Sequence, residues 1–132
     1  MKSSTIKTKK GSVTLVEPGI IHFKLNENAE WTLTDAKETH KANLELSEGG
    51  KFFVYMIAKH FFRPTKEAQE FIGTKECTDH RIAAVFVVPN SGMKLLATLF
   101  QRFFKSKSPT HIFKTEAEAF KFMRDTYKEI SG

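Results

Sequence analysis

At 132 residues the chain has the size of one domain, long enough to bury about two thirds of the surface its unfolded form exposes. Its 40% apolar and 27% charged residues match a globular protein, and no apolar run approaches the roughly 20 residues of a membrane-spanning helix. The net charge of +6 argues little for nucleic acid, because residues 11–132 hold 17 basic against 15 acidic side chains.

Taken in chain order, residues 1–10 read as a flexible basic tail carrying Lys2, Lys7, Lys9 and Lys10. No apolar signal core follows those lysines, and the single Cys77 excludes an internal disulfide, so a cytoplasmic setting is expected. A single domain over residues 11–132 follows. Ser12–Glu17 and Ile20–Leu25 flank the turn dipeptide Pro18-Gly19 and predict an antiparallel hairpin, its first strand a partly exposed edge. Residues 26–30 read as loop. A polar helix is expected from a Thr34 cap to about Ser47, stopped by Gly49-Gly50.

Lys51–Ala58 is nearly continuous in apolar character, as a strand covered on both faces must be. His60–Arg63 reads as a loop or irregular extension, and Thr65 is placed to cap a helix reaching Phe71. After a polar loop over residues 75–80 comes a second buried strand, Arg81–Val88, broken by Pro89-Asn90-Ser91-Gly92. Met93–Lys105 is a strongly amphipathic helix. A short strand, His111–Phe113, and a helix capped by Thr115 with Glu118 at the capping-box position complete the pattern. Strand and helix alternate with short joints, which predicts parallel strands covered by helices.

This order of elements, with Arg81-Ile-Ala-Ala-Val-Phe-Val-Val88, Pro109-Thr-His-Ile-Phe113 and Glu116-Ala-Glu-Ala119, resembles the STAS family of anti-sigma-factor antagonists, also called SpoIIAA-like proteins. The resemblance covers about residues 11–130 and is closer to bacterial relatives that lack the signalling motif. It implies an α/β domain built as a right-handed β/α superhelix, with a mixed sheet of four or five strands and about four helices. It also implies a non-catalytic regulatory or protein-interaction module. In signalling members of the family, a loop with Asp-Ser-Ser-Gly carries a serine whose phosphorylation by a partner kinase abolishes binding to that partner. The matching place here is Phe62-Arg63-Pro64-Thr65-Lys66, where Thr65 is the only hydroxyl and the Asp and Gly are missing. Phosphate at a helix N-terminus is electrostatically tolerable, but the missing Asp and Gly favour reading Thr65 as a plain helix cap.

Catalytic and metal chemistry find little support. His22, His40, His60, His80 and His111 lack metal-ligand spacing, and Cys77-Thr-Asp-His80 supplies two of the three or four groups that zinc requires. No glycine-rich phosphate loop is present, so no cofactor or metal is expected. On Met93–Lys105 the apolar residues spread over roughly 200°, wider than a helix lying on a sheet needs. Leu95, Phe100, Arg102, Phe103 and Phe104 are therefore candidates for a homodimer or partner interface. Coverage by neighbouring elements, and contact with an anionic membrane, are the competing readings of the same pattern. Finally, Phe61, Phe62 and Arg63 at the C-terminal end of a strand, with Trp31, are candidates to line a pocket for a small apolar or anionic molecule. A small-molecule or lipid-binding domain, akin to the Sec14-type fold, is thus the alternative to the interaction module.

Overall fold

The structure, a computed structural model, describes residues 4–26, 29–57, 62–90 and 109–131. Its central sheet holds β1 (Thr5–Lys7), β2 (Gly11–Glu17), β3 (Ile20–Leu25), β5 (Phe52–Ile57), β7 (Arg81–Val87) and β8 (Thr110–Phe113), side by side in that order. β1, β2 and β3 are antiparallel; β3, β5, β7 and β8 run parallel. A small parallel pair, β4 (Ala29–Trp31) and β6 (Phe62–Pro64), forms a second sheet. The helices are α1 (Leu33–Ser47), α2 (Lys66–Ile72), α3 (Lys75–Thr78) and α4 (Glu116–Ser131). This is an α/β fold with a mixed six-stranded sheet and four helices among the described residues.

Side chains alternate across a strand, so β5 feeds two cores. Phe52 and Met56 point into a cluster with Val13, Ile21 and Phe23, beneath α1 and α2. Phe53 and Tyr55 point the other way, into a cluster with Val85, Ala119 and Met123 beneath α4. That double burial is why β5 and β7 read as nearly continuous apolar runs. α4 is held close to the β2–β3 turn: Arg124 Nε donates to Glu17 Oε1 at 3.0 Å. Gly19 turns there at φ +77°, and a Cβ on it would stand 2.0 Å from Tyr127 Cε1. The turn thus needs glycine both for its backbone and for the ring pressed against it.

Several expectations are corrected. The sheet has six strands rather than four or five, because Thr5–Lys7 of the supposed basic tail pairs with residues 12–14. Its Ile6 packs against the core, and Lys10 forms an ion pair with Asp35 at 2.7 Å. β2 is consequently not an edge. α1 is capped by Thr32 rather than Thr34, through a reciprocal box with Asp35. Residues 75–78, expected as loop, form α3, and the loops expected over residues 26–30 and 60–63 contribute to strands, Ala29–Trp31 pairing with Phe62–Pro64. The amphipathic segment Met93–Lys105 lies outside the described residues. Among the described residues, no helix is long and apolar enough to cross a membrane.

Candidate functional site

The buried stripe of α1 is unusual in its chemistry. Ala36, Thr39, His40 and Asn43 are all buried, at the i, i+3, i+4, i+7 spacing that an amphipathic helix fills with apolar residues. Three of the four are polar. Thr39 satisfies its hydroxyl by donating to the Asp35 carbonyl at 2.9 Å. His40 Nε2 and Asn43 Oδ1, on residues only 8% and 7% exposed, have no hydrogen-bond partner among the described residues. A carboxylate oxygen of Glu76 lies 3.6 Å from His40 Nε2, beyond hydrogen-bonding range. Buried polar groups left in this way are rare enough to require an explanation.

Both groups line a cavity of about 100 Å³ between α1 and the sheet. Phe23, Phe52, Val54, Met56 and Phe86 supply the sheet wall, and Trp31 closes it ahead of α1. Phe23 and Trp31 meet with ring centroids 5.8 Å apart. Cys77 and Arg81 reach the cavity from α3 and β7. The Arg81 guanidinium donates from Nη2 to the Ile72 carbonyl at 2.9 Å. Burial strips water from that cation and pushes its pKa down. Burial raises the Cys77 thiol above its ordinary value, so it rests as the unreactive protonated form. The arrangement is a largely apolar chamber with an imidazole, an amide and a guanidinium at the α1–α3–β7 junction. Its chemistry suits binding a small polar head.

Of the residues expected to form a pocket, Trp31 does line this cavity. Phe61 and the Phe62 side chain lie outside the described residues, and Arg63 is exposed. β6 pairs with β4, placing Arg63 opposite Glu30 and away from the cavity wall. The expected grouping of Trp31 with Arg63 is therefore corrected: the cavity is built under α1. Thr65 caps α2, its hydroxyl accepting from the Ala68 N–H at 3.2 Å. Leu95, Phe100, Arg102, Phe103 and Phe104 lie outside the described residues. Among the described residues, no group of three or more His, Cys, Asp or Glu could hold a metal ion. His40, Asn43 and Arg81 were missed by the sequence reading.

The histidines give the domain a pH signature. Burial chiefly lowers the His40 pKa; Glu76 opposes this, while His80 and Arg81 reinforce it. Burial lowers His111 as well, with its ring 4.5 Å from that of Phe122. As pH falls through the unfolded histidine value of about 6.5, the unfolded chain takes up protons that the folded chain still refuses. Stability then falls with pH, until the depressed folded values are reached. Thermal melts between pH 7.5 and 5.5 should show a declining melting temperature, with a shallower slope in His40→Gln. A flat wild-type profile would contradict the burial of both rings.

No curated protein and no solved structure matches the chain. A model for a domain of unknown function, DUF7793, matches residues 14–127, a span that holds every cavity residue named above. The two-faced sheet, the polar stripe on α1 and the chamber beneath it are thus features of a member of the DUF7793 family, to which this chain belongs.

Proposed function

We propose that this domain is a non-catalytic regulatory module of STAS-like type that responds to a small molecule held beneath α1. The observation that carries the reading is a pair of polar atoms, His40 Nε2 and Asn43 Oδ1, unpartnered among the described residues and on the wall of a largely apolar cavity. A fold that only packed would gain from apolar residues there, since a buried unsatisfied group costs about 1–3 kcal/mol. The sequential parallel order β3, β5, β7, β8 suits a SpoIIAA-like right-handed β/α superhelix, which we propose as the finer fold. A cytoplasmic setting is in keeping with the single, buried Cys77. The reading is non-catalytic because the cavity's thiol is pushed away from its nucleophilic form.

Asn43→Leu tests the cavity directly. It removes the unpaired acceptor and fills part of the void, so we expect unfolding in urea to require about 1 kcal/mol more. Native mass spectrometry of protein purified without denaturant should show a bound small molecule on the wild type that is absent from Asn43→Leu and from the cavity-filling Ala84→Ile. An empty wild type together with a destabilised Asn43→Leu would sink the reading, because Asn43 would then serve packing alone.

A second reading rests on Met93–Lys105, whose apolar arc of roughly 200° exceeds what a sheet-covering helix uses. Self-association or a protein partner through Leu95, Phe100, Arg102, Phe103 and Phe104 follows from it. Light scattering should then report a dimer that Phe104→Glu converts to monomer. A wild-type monomer would remove self-association from the account.

A further inference from the structure

The imidazole of His40 is a meeting point of four segments. It stands on the buried face of α1. Phe71 of α2 meets the ring edge-on, with centroids 5.8 Å apart. From α3 a Glu76 carboxylate oxygen comes within 3.6 Å of Nε2. The His80 ring, just ahead of β7, lies 6.5 Å away. The charged and titratable groups that the described elements bring to His40 are thus Glu76, His80 and Arg81, with the protonated Cys77 thiol on the same cavity wall. On α1 itself, Lys37 and Lys41 are exposed and Asp35 is engaged by Lys10. Burial acts most strongly against a proton on His40, His80 and Arg81 add to it, and Glu76 favours the proton.

The two partners are unequal in freedom. Glu76 belongs to a helix of four residues, and its side chain is 65% exposed, so its carboxylate leaves only water when it moves. His40 is fixed in the packed face of α1. As an imidazolium it donates from both ring nitrogens, and a charge-assisted bond to a carboxylate settles at about 2.8 Å. The apolar wall behind the ring strengthens that attraction. Phe71 and the sheet cover the ring from other sides, so opening α3 gives up Glu76 without returning His40 to water. We propose that His40 and Glu76 form an acid-closed latch: a proton on the imidazole draws α3 onto α1 and fixes the corner from which β7 departs. The latch rests on the contact between α1 and α3 alone and stands or falls apart from the ligand proposed above. It opposes the trend of the whole domain, which loses stability in acid while this one corner tightens.

The test is a nuclear magnetic resonance titration of the full chain from pH 7.5 to 5.0, with wild type beside Glu76→Gln. The substitution is exposed and keeps the side chain's shape, so the fold is retained. The His40 ring should titrate below the ordinary histidine value of about 6.5. Glu76→Gln should push that midpoint further down, by about half a pH unit or more. Amide exchange, corrected for its intrinsic dependence on pH, reads the movement itself. Thr78 and Asp79 donate their N–H groups to the Thr74 and Lys75 carbonyls across α3. Their protection should rise about threefold as His40 takes up its proton, the equivalent of that half unit by linkage, and should not rise in Glu76→Gln. The Phe53 N–H, bonded to the Gly19 carbonyl at 2.7 Å, reports global unfolding, and its protection should fall in acid in both proteins. A His40 midpoint indifferent to Glu76→Gln, a ring still neutral at pH 5.0, or α3 protection that falls in step with Phe53 would each overturn the latch.

Discussion

Phe53→Ala is expected to lower the unfolding free energy by about 3–5 kcal/mol, the range for truncating a fully buried ring. Phe53 is fully buried at the centre of the sheet, with Ile20 opposite on β3 and Ala83 opposite on β7. Its ring meets Phe122 of α4 edge-on, with centroids 5.9 Å apart. Met123 and Ala119, also fully buried, pack in the same cluster. Truncation therefore removes one ring's transfer energy, leaves a void and loosens the seat of α4 together. The half-buried rings around it, Phe113, Phe120 and Phe122, already pack against this cluster. Domains of this kind unfold for about 5–15 kcal/mol, so the change approaches the whole margin. Urea unfolding measures it, and a loss below about 1 kcal/mol would show that α4 does not cover this face.

Why some of this architecture was legible in the sequence follows from burial. Phe52–Ile57 and Arg81–Val87 are covered on both faces, so their apolar runs are long and their limits fell within a residue of expectation. Thr65 and Thr115 were read as caps from spacing alone, and both hydroxyls accept from the N–H three residues on. Thr5–Lys7 has one inward residue, Ile6, and a single apolar position carries no period. β4 and β6 are three residues each and stabilise one another only after the chain has brought them together.

The site escaped for a different reason. Periodicity counts apolar residues, and the inward face of α1 is mostly polar, so α1 read simply as a polar helix. Its stripe of Ala36, Thr39, His40 and Asn43 carries a helical period in the wrong chemistry. Trp31, which lines the cavity, was grouped with Arg63 by assuming a pocket at the end of a strand. The ladder between β4 and β6 breaks that grouping.

The second large effect belongs to Asp35, whose removal joins three losses at one carboxylate. As the third residue of α1 it accepts from the Thr32 N–H at 2.8 Å and from the Thr32 hydroxyl at 2.9 Å. It also pairs with Lys10 Nζ at 2.7 Å while its own side chain is 4% exposed. Its charge sits at the positive end of the α1 dipole. Asp35→Ala should cost about 2–4 kcal/mol, between the loss of an ordinary cap and that of a buried pair broken on one side. Lys10→Met should cost less, because the carboxylate keeps Thr32 and the dipole. The pH dependence runs opposite in origin to that of an ordinary cap: burial acts to raise the Asp35 pKa, yet Lys10 and Thr32 prevail and hold it below its usual value. Its stabilisation is therefore present above about pH 4 and is lost as pH falls through the depressed folded value. Urea unfolding of wild type and Asp35→Ala at pH 7 and again at pH 3 checks this. The gap between them should narrow in acid, whereas an equal gap at both values would mean that the carboxylate acts by shape rather than by charge.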